Sequence, residues 1–485
     1  MDTHLLALQL MAAQGCLGAF DTIYHHELTE ALPQTPGARR ELAIHAVRAT
    51  IYAALFIGLA WWEWHGGFAL LLCILFGVEV VLTLWDFVIE DRTRLLPATE
   101  RVTHTVLAIN GGAFIALLAL HVPAWSAQPT AMAWHAHGWL SILLTLCGVG
   151  VGLSGIRDAL AAARLRQHGA APAVAFDEIK RTVLVTGATG FIGQTLVRAL
   201  LRDGHQVIAL TRDTRRAAWR FDGKVRCIGS MDELSNDAVV DLVVNLAGSR
   251  ILGQRWSARR RAALRRSRIG LTDGVIAWIA RANHKPLLML SASAIGYYGV
   301  QPIGDDTALD ESAPPQPVFM SDLCREWEAA AGAAAQYGVR VECMRFGLVL
   351  GLQGALPMLL LPIKLGLGGR LGSGRQWQSW IHVDDLVAGI AHRWRHAVDH
   401  APGGAVGMSN FTAPEQLPQA AFSQVAARLL KRPSFMPTPG WPMRLVLGEQ
   451  ADLLLEGQRV APARLAREGF VFRYPDLAAA LRSLR

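Results

Sequence analysis

The run Thr186-Gly187-Ala188-Thr189-Gly190-Phe191-Ile192-Gly193 follows the apolar triplet Val183-Leu184-Val185 and precedes Gln194–Leu201, which reads as a helix. Three glycines spaced this way between a buried strand and a helix permit a tight turn. They also let backbone N–H groups and the helix N-terminus approach a diphosphate. Gly204-His205 then turns the chain into a second strand, Gln206–Leu210, which completes the setting a glycine fingerprint requires. Gly187, Thr189, Gly190, Phe191, Ile192 and Gly193 are therefore expected to hold a nicotinamide dinucleotide. Past the second strand stand Arg212, Asp213, Arg215 and Arg216. A guanidinium such as Arg212 suits the 2′-phosphate of NADP, the expected cofactor, while Asp213 keeps NAD open through the ribose hydroxyls. The strand Asp241–Leu246 leads into Asn245, Ala247 and Gly248, expected on the adenosine side.

A second group of reactive side chains lies in the first 104 residues: Asp21, His25, His26 and Glu27; Glu41 and His45; Asp86, Glu90 and Asp91; Glu100 and His104. Glu41/His45, Asp86/Glu90 and Glu100/His104 are spaced i,i+4, so each pair shares a helix face. Carboxylates and imidazoles projecting inward from several helices can build a dinuclear metal site, with Glu41, His45, Glu100 and His104 as candidate ligands. The spacing departs from the usual Glu-x-x-His. The competing reading is ion pairing with Arg92, Arg94 and Arg101 at a lipid–water boundary.

The elements carrying those groups are long and apolar. Ala49–Trp62, Phe68–Phe87, Val102–Val122 and Gly138–Leu153 are expected to cross a bilayer, which takes about 20 residues per helix. The first and last are short. Leu5–Phe20, interrupted by Gln9 and Gln14, is either a fifth span or a helix lying in the interface. Glu79 inside the second span is expected to face the bundle interior. Arg39, Arg40 and Arg48, then Arg92, Arg94 and Arg101, then Arg157, Arg164 and Arg166 mark alternate ends, whereas Glu63–Gly67 and Pro123–His137 hold no Lys or Arg. The positive-inside rule places the arginine-bearing ends in the cytoplasm, and the dinucleotide-binding half with them. His65, His121, His135 and His137 fall at the opposite face and read as interfacial.

The formal charge of +8 suits a bilayer surface, and no nucleic-acid motif accompanies the arginines. The six cysteines are scattered without a C-x-x-C pair, so nothing in their spacing suggests a disulfide framework or zinc knuckle, and no removable signal peptide is seen.

Further motifs follow: Arg255-Trp256 with Ser267-Arg268-Ile269, Ser291-Ala292-Ser293-Ala294-Ile295-Gly296-Tyr297-Tyr298-Gly299, and Cys324-Arg325-Glu326-Trp327-Glu328. Gly372-Ser373-Gly374-Arg375-Gln376-Trp377, Ser379–Asp385, Arg444–Leu455 and Gly469-Phe470-Val471-Phe472 complete the set. With these, Arg181–Arg485 resembles the atypical extended short-chain dehydrogenases, the epimerase family of sugar-nucleotide-epimerase-like proteins. The resemblance implies an NADP-binding Rossmann domain with the family's own C-terminal region, and Ser293 as the substrate-side serine. The superfamily's Tyr-x-x-x-Lys dyad, in which Lys lowers the Tyr pKa and holds the nicotinamide ribose, maps onto Met320 and Cys324 in the helix Phe319–Ala335. Tyr297 or Tyr298 then supplies a phenol or packs beneath the nicotinamide. Cys324 reads as a buried helix residue. Arg345 and Arg375 are candidates to grip an anionic substrate, Arg345 alternatively bonding backbone groups, and His382 is read as structural or as positioning the substrate. Gly366–Gly369 reads as a flexible loop over the site.

The expected fold is an α-helical transmembrane bundle (1–160), a linker (161–180), a Rossmann domain with a parallel, doubly wound sheet (181–400) and a small α+β substrate or cap region (401–485). The expected location is the inner or plasma membrane. Three functions fit: an NADP-dependent oxidoreductase or epimerase-like enzyme acting on a small or lipid-like substrate, a non-catalytic NADP-binding redox sensor or assembly factor, and a metal-dependent membrane oxidase fed by the NADP domain.

Overall fold

The computed structural model describes every residue except Met1, Glu30, Ala31, Thr35–Gly37, Arg94, Leu95, His168–Pro172, Gln254, Ala401, Pro402 and Arg485. Arg94 and the centre of the expected linker thus lie outside the described residues. The chain divides into two compact units, Met1–Gly169 and Ala170–Arg485.

Among the described residues, the first unit holds five long helices: α1 (Thr3–Asp21), α2 (Arg39–Trp61), α3 (Gly67–Thr93), α4 (Ala98–Ala119) and α5 (Trp139–Gln167). All five are long and apolar enough to cross a membrane. The segments expected to be short are not: α2 has 23 residues and α5 has 29, because each continues through polar turns where the apolar window ends. α1 is an integral member of the bundle, as Asn110 Nδ2 donates to Gln14 Oε1 (2.8 Å) and to the Leu10 carbonyl (2.9 Å). Gln14, which breaks the apolar run in the sequence, is the residue that ties the helix in. α2 and α5 approach closely through small residues. A Cβ at Gly155 would lie 2.7 Å from Ala49 Cβ, and one at Gly148 2.7 Å from Ile57 and 3.3 Å from the Ala53 carbonyl. Close backbone approach of this kind drives helix association where lipid tails are as apolar as leucine.

The second unit is built on a seven-stranded sheet of parallel strands: β1 (Thr182–Thr186), β2 (Gln206–Leu210), β3 (Arg226–Ile228), β4 (Leu242–Asn245), β5 (Leu288–Ala294), β6 (Arg340–Phe346) and β7 (Val406–Phe411). The spatial order is β7-β6-β5-β4-β1-β2-β3. Helices cover both faces, and two apolar clusters, one on Val183, Val185 and Leu290, the other on Leu184, Val243 and Met289, show the alternation along each strand. The order reverses between β1 and β4, and ligands of open α/β sheets bind in the crevice at that reversal. The seventh strand lies beyond the expected boundary at 400. Within the expected linker, Phe176 is fully buried in the core of this unit, its N–H bonded to Asp203 Oδ2 at 2.8 Å.

Candidate functional site

β1 delivers the glycine loop directly into α6 (Phe191–Arg202). Gly187 adopts φ +68°, and a Cβ there would lie 2.9 Å from backbone atoms of Leu246 and Ala247. At Gly193 a Cβ would sit 2.2 Å from the Gly187 carbonyl oxygen, so only hydrogen lets α6 pack onto the loop. Gly190 is exposed at the helix N-cap and meets only the Gly187 oxygen, at 3.2 Å. Thr189 and Ile192 are half-buried beside it, and Phe191 is clasped by Gly351 and Gly354. The loop is thus a shaped cradle whose open side carries the first N–H groups of α6, which suits a diphosphate.

Asn245 lies beneath this cradle rather than on its surface. It is fully buried, accepts from Thr186 Oγ1 (2.7 Å) and donates to Thr272 Oγ1 (2.9 Å) and Ser291 Oγ (3.1 Å). The Ala247 N–H bonds back to Thr186 Oγ1 at 3.1 Å, so Asn245 positions the loop that Ala247 and Gly248 present. At the end of β2, Asp213 caps the helix Thr214–Arg220, its Oδ1 accepting from the Arg216 N–H at 2.9 Å. One oxygen of its carboxylate is thereby engaged by the helix, and both Asp213 and Arg212 are exposed.

The residues expected to do chemistry form a buried network. Ser293 Oγ donates to Glu328 Oε1 at 2.6 Å. Arg345 makes a two-pronged bond to Glu328, with Nε–Oε1 and Nη2–Oε2 both at 2.9 Å, and donates through Nη1 to the Tyr298 hydroxyl at 3.0 Å. Tyr298 in turn donates to Asn410 Oδ1 at 2.7 Å. Arg345 is 2 % exposed, so it does not reach a substrate; it holds Glu328. Burial pushes the Tyr298 phenol up to about 12. Tyr297 differs: it is half-buried, and the Arg345 guanidinium stacks 3.4 Å from its ring centre. Met320 and Cys324 of α9 (Phe319–Gly332; α7, Ala258–Arg265, and α8, Leu271–Arg281, precede it) pack under the Ile295–Tyr298 turn, 3.0 and 3.9 Å from a Cβ built at Gly296. Burial, followed by the Glu328 charge, pushes the Cys324 thiol up to about 12, which removes it as a nucleophile or proton donor near neutrality.

Arg375 is exposed and remains accessible. His382 is 2 % exposed and anchors the C-terminal segment instead of a substrate. Its Nδ1 accepts from the Asp384 N–H (3.1 Å), its Nε2 lies 3.2 Å from Ser483 Oγ, and its ring packs 4.0 Å from that of Tyr474. The Gly366–Gly369 segment is pinned, not loose: a Cβ at Gly369 would fall 2.0 Å from the Met436 carbonyl oxygen. Asn410 and Glu328 escaped the sequence reading as site residues, because nothing local in β7 or α9 signals a partner 112 or 35 residues away.

In the first unit, Glu41, His45, Glu100 and His104 converge at one end of the bundle, joined by Asp21, His26 and Glu90. At the other end, His121, His135 and His137 gather round His4, ring centres 5.1–6.3 Å away, with Glu63 bonded to His65 and His135.

Residues 183–406 match the family model described as the NAD dependent epimerase/dehydratase family, and residues 438–484 match a domain of unknown function, DUF1731. The epimerase family protein YfhF of Bacillus subtilis is 36% identical over 306 residues, covering 62% of this chain and 97% of the relative. The chloroplastic SDR39U1 homolog of Arabidopsis thaliana is 39% identical over 314 residues, covering 63% and 87%. Among solved structures, the human epimerase family protein SDR39U1 (isoform 2) with NADPH superposes with a TM-score of 0.55 at 34% identity, covering 62% of this chain and 98% of that one.

Proposed function

The chain belongs to the NAD dependent epimerase/dehydratase family, and on that premise we propose that it is a membrane-anchored, NADP-binding oxidoreductase or epimerase-like enzyme working without the Tyr-x-x-x-Lys dyad. The observation that carries this is the glycine cradle together with the exposed Arg212 at the end of β2. The loop has no room for a side chain at Gly187 or Gly193, and Arg212 is exposed beside Asp213, one of whose oxygens caps the next helix. Arg212 offers its guanidinium to a 2′-phosphate. When bound, NADPH supplies a hydride to an electron-poor carbon of a small or lipid-like substrate. Tyr297, the accessible phenol beside the buried network, holds the proton that the substrate oxygen receives, and Arg375 offers a cation to an anionic substrate. Glu328 and Arg345 position Ser293 and the Tyr297 ring.

Five apolar helices and the distribution of arginines support a bilayer anchor with the second unit on the cytoplasmic side, where NADP(H) is available. Calorimetric titration of the purified full chain tests the cofactor reading. NADPH is expected to bind at least about 10-fold more tightly than NADH, with Arg212→Ala abolishing most of that preference, since a charge-assisted bond contributes roughly 1.5–3 kcal/mol. No heat with either nucleotide overturns it.

A second reading, a non-catalytic NADP-binding redox sensor, is favoured by the commitment of Ser293 to Glu328 and the high pKa of Cys324. NADPH binding without oxidation by any carbonyl substrate in a cell extract supports that reading over the first.

A further inference from the structure

We propose that Glu41, His45, Glu90, Glu100 and His104, with Asp21 and His26 beside them, form a dinuclear site for divalent first-row transition metal ions such as iron or manganese. The inference stands independently of NADP binding. Three sets of side chains offer ligand atoms that all lie within 4.8 Å of one another: Glu41/His45/Glu90, Glu90/Glu100/His104 and Asp21/His26/His104. Glu90 and His104 each belong to two sets, so the sets are contiguous and Glu90 is placed to bridge two ions. The residues come from α2, α3, α4 and the end of α1 with its following turn, an arrangement in which a bundle core builds carboxylate–imidazole metal sites.

The arrangement of His45 points independently to a Lewis acid. Its Nε2 lies 3.0 Å from Asp86 Oδ2, and Arg48 Nη1 donates to that same oxygen at 2.8 Å. Arg48 also holds Glu79 through Nε and Nη2, at 3.2 and 2.9 Å. With Asp86 acting as an acceptor, Nε2 must donate, and a neutral ring then carries only a lone pair on Nδ1. That nitrogen is inaccessible to solvent and has no hydrogen-bond partner among the described residues; nor has Oδ1 of Asp86, a residue only 2 % exposed. A carboxylate behind the far nitrogen is how metal-binding imidazoles are oriented and made more basic. Oxygen and imidazole donors select borderline or hard ions over those that prefer thiolates. Four carboxylates, Asp21, Glu41, Glu90 and Glu100, match the charge of two divalent ions.

The test is metal analysis of the full chain, purified in detergent from cells supplied with iron and manganese. It is repeated after chelation and titration with Fe(II), Mn(II) or Zn(II). We expect about two ions per chain and a rise in melting temperature on adding the preferred ion. Loss of the bridging ligand in Glu90→Gln is expected to reduce affinity about 10-fold or more and to remove the melting shift, as is His45→Ala. Glu63→Gln, at the opposite end of the bundle, is expected to retain both. If either ligand variant fails to fold, the melting shift of the unaltered chain still decides. Absence of bound metal together with no shift under any of the three ions, or full metal content in both variants, overturns the proposal and leaves the cluster as an ion-pair network.

Discussion

Glu328 is the residue on which the buried polar network of the second unit depends. It receives the Ser293 hydroxyl and both prongs of the Arg345 guanidinium in a setting where none of the three is more than 6 % exposed. Removing one partner from a buried ion pair leaves the other charge desolvated. Glu328→Gln is therefore expected to destabilise the protein by about 3–5 kcal/mol, read by chemical denaturation. Tyr297→Phe removes only a half-buried hydroxyl. It is expected to leave stability within about 0.5 kcal/mol while lowering NADPH turnover by roughly 100-fold, the scale of a lost general acid. Equal turnover in Tyr297→Phe and the unaltered chain would reassign the proton donor. The sequence named Ser293 and both tyrosines but did not separate the two phenols, because only the packed fold buries one and leaves its neighbour accessible.

The strand–loop–helix unit β1–α6 separates folding from ligand binding within one motif. Gly193→Ala drives a methyl group into backbone of the same loop, so α6 must shift. Both melting temperature and NADPH affinity are expected to fall. Gly190→Ala meets a single oxygen at 3.2 Å and faces solvent. It is expected to hold its melting temperature within about 1 °C, equivalent to under about 1 kcal/mol for a unit of this size, yet to bind NADPH poorly because the methyl group stands where the diphosphate must approach. Calorimetry and thermal melting on the two variants check this, and unchanged NADPH affinity in Gly190→Ala would place the diphosphate elsewhere. The spacing of the glycines was fully legible in the sequence. Which glycine serves packing and which serves approach was not, since that depends on how near Gly187 comes to the Leu246-Ala247 backbone.

At the scale of the whole molecule, the docking of the C-terminal segment ties stability to pH. Burial and the nearby Arg473 charge push His382 down to about 3, against an ordinary value of 6.5. The unfolded chain therefore binds a proton on this residue, between those limits, that the folded chain refuses. The stabilisation is complete above pH 6.5 and is lost as pH falls, with a slope approaching about 1.4 kcal/mol per pH unit. Burial raises Asp384 and Asp385, which act in the opposite sense nearer the carboxylate range, so the His382 contribution is best read between about pH 6.5 and 5. Urea denaturation across that window is expected to show the slope in the unaltered chain and a flatter one in His382→Asn. An unchanged slope in the variant would assign the pH dependence to other groups.

What the sequence determined by itself was local or periodic: the apolar runs, the alternation of arginine-bearing ends, the glycine fingerprint, and the i,i+4 pairing of Glu41 with His45 and Glu100 with His104. Each of these is set by neighbours within a few residues along the chain, where backbone geometry dictates which side chains share a face. Tertiary structure decided everything that requires distant segments to meet. It placed Arg345 on Glu328 rather than on a substrate, Asn245 beneath the glycine loop, His382 under the C-terminal tail, and Glu90 beside both Glu41/His45 and Glu100/His104. Burial and partner choice are properties of the packed interior, and a linear pattern carries no record of which side chain will face another across it.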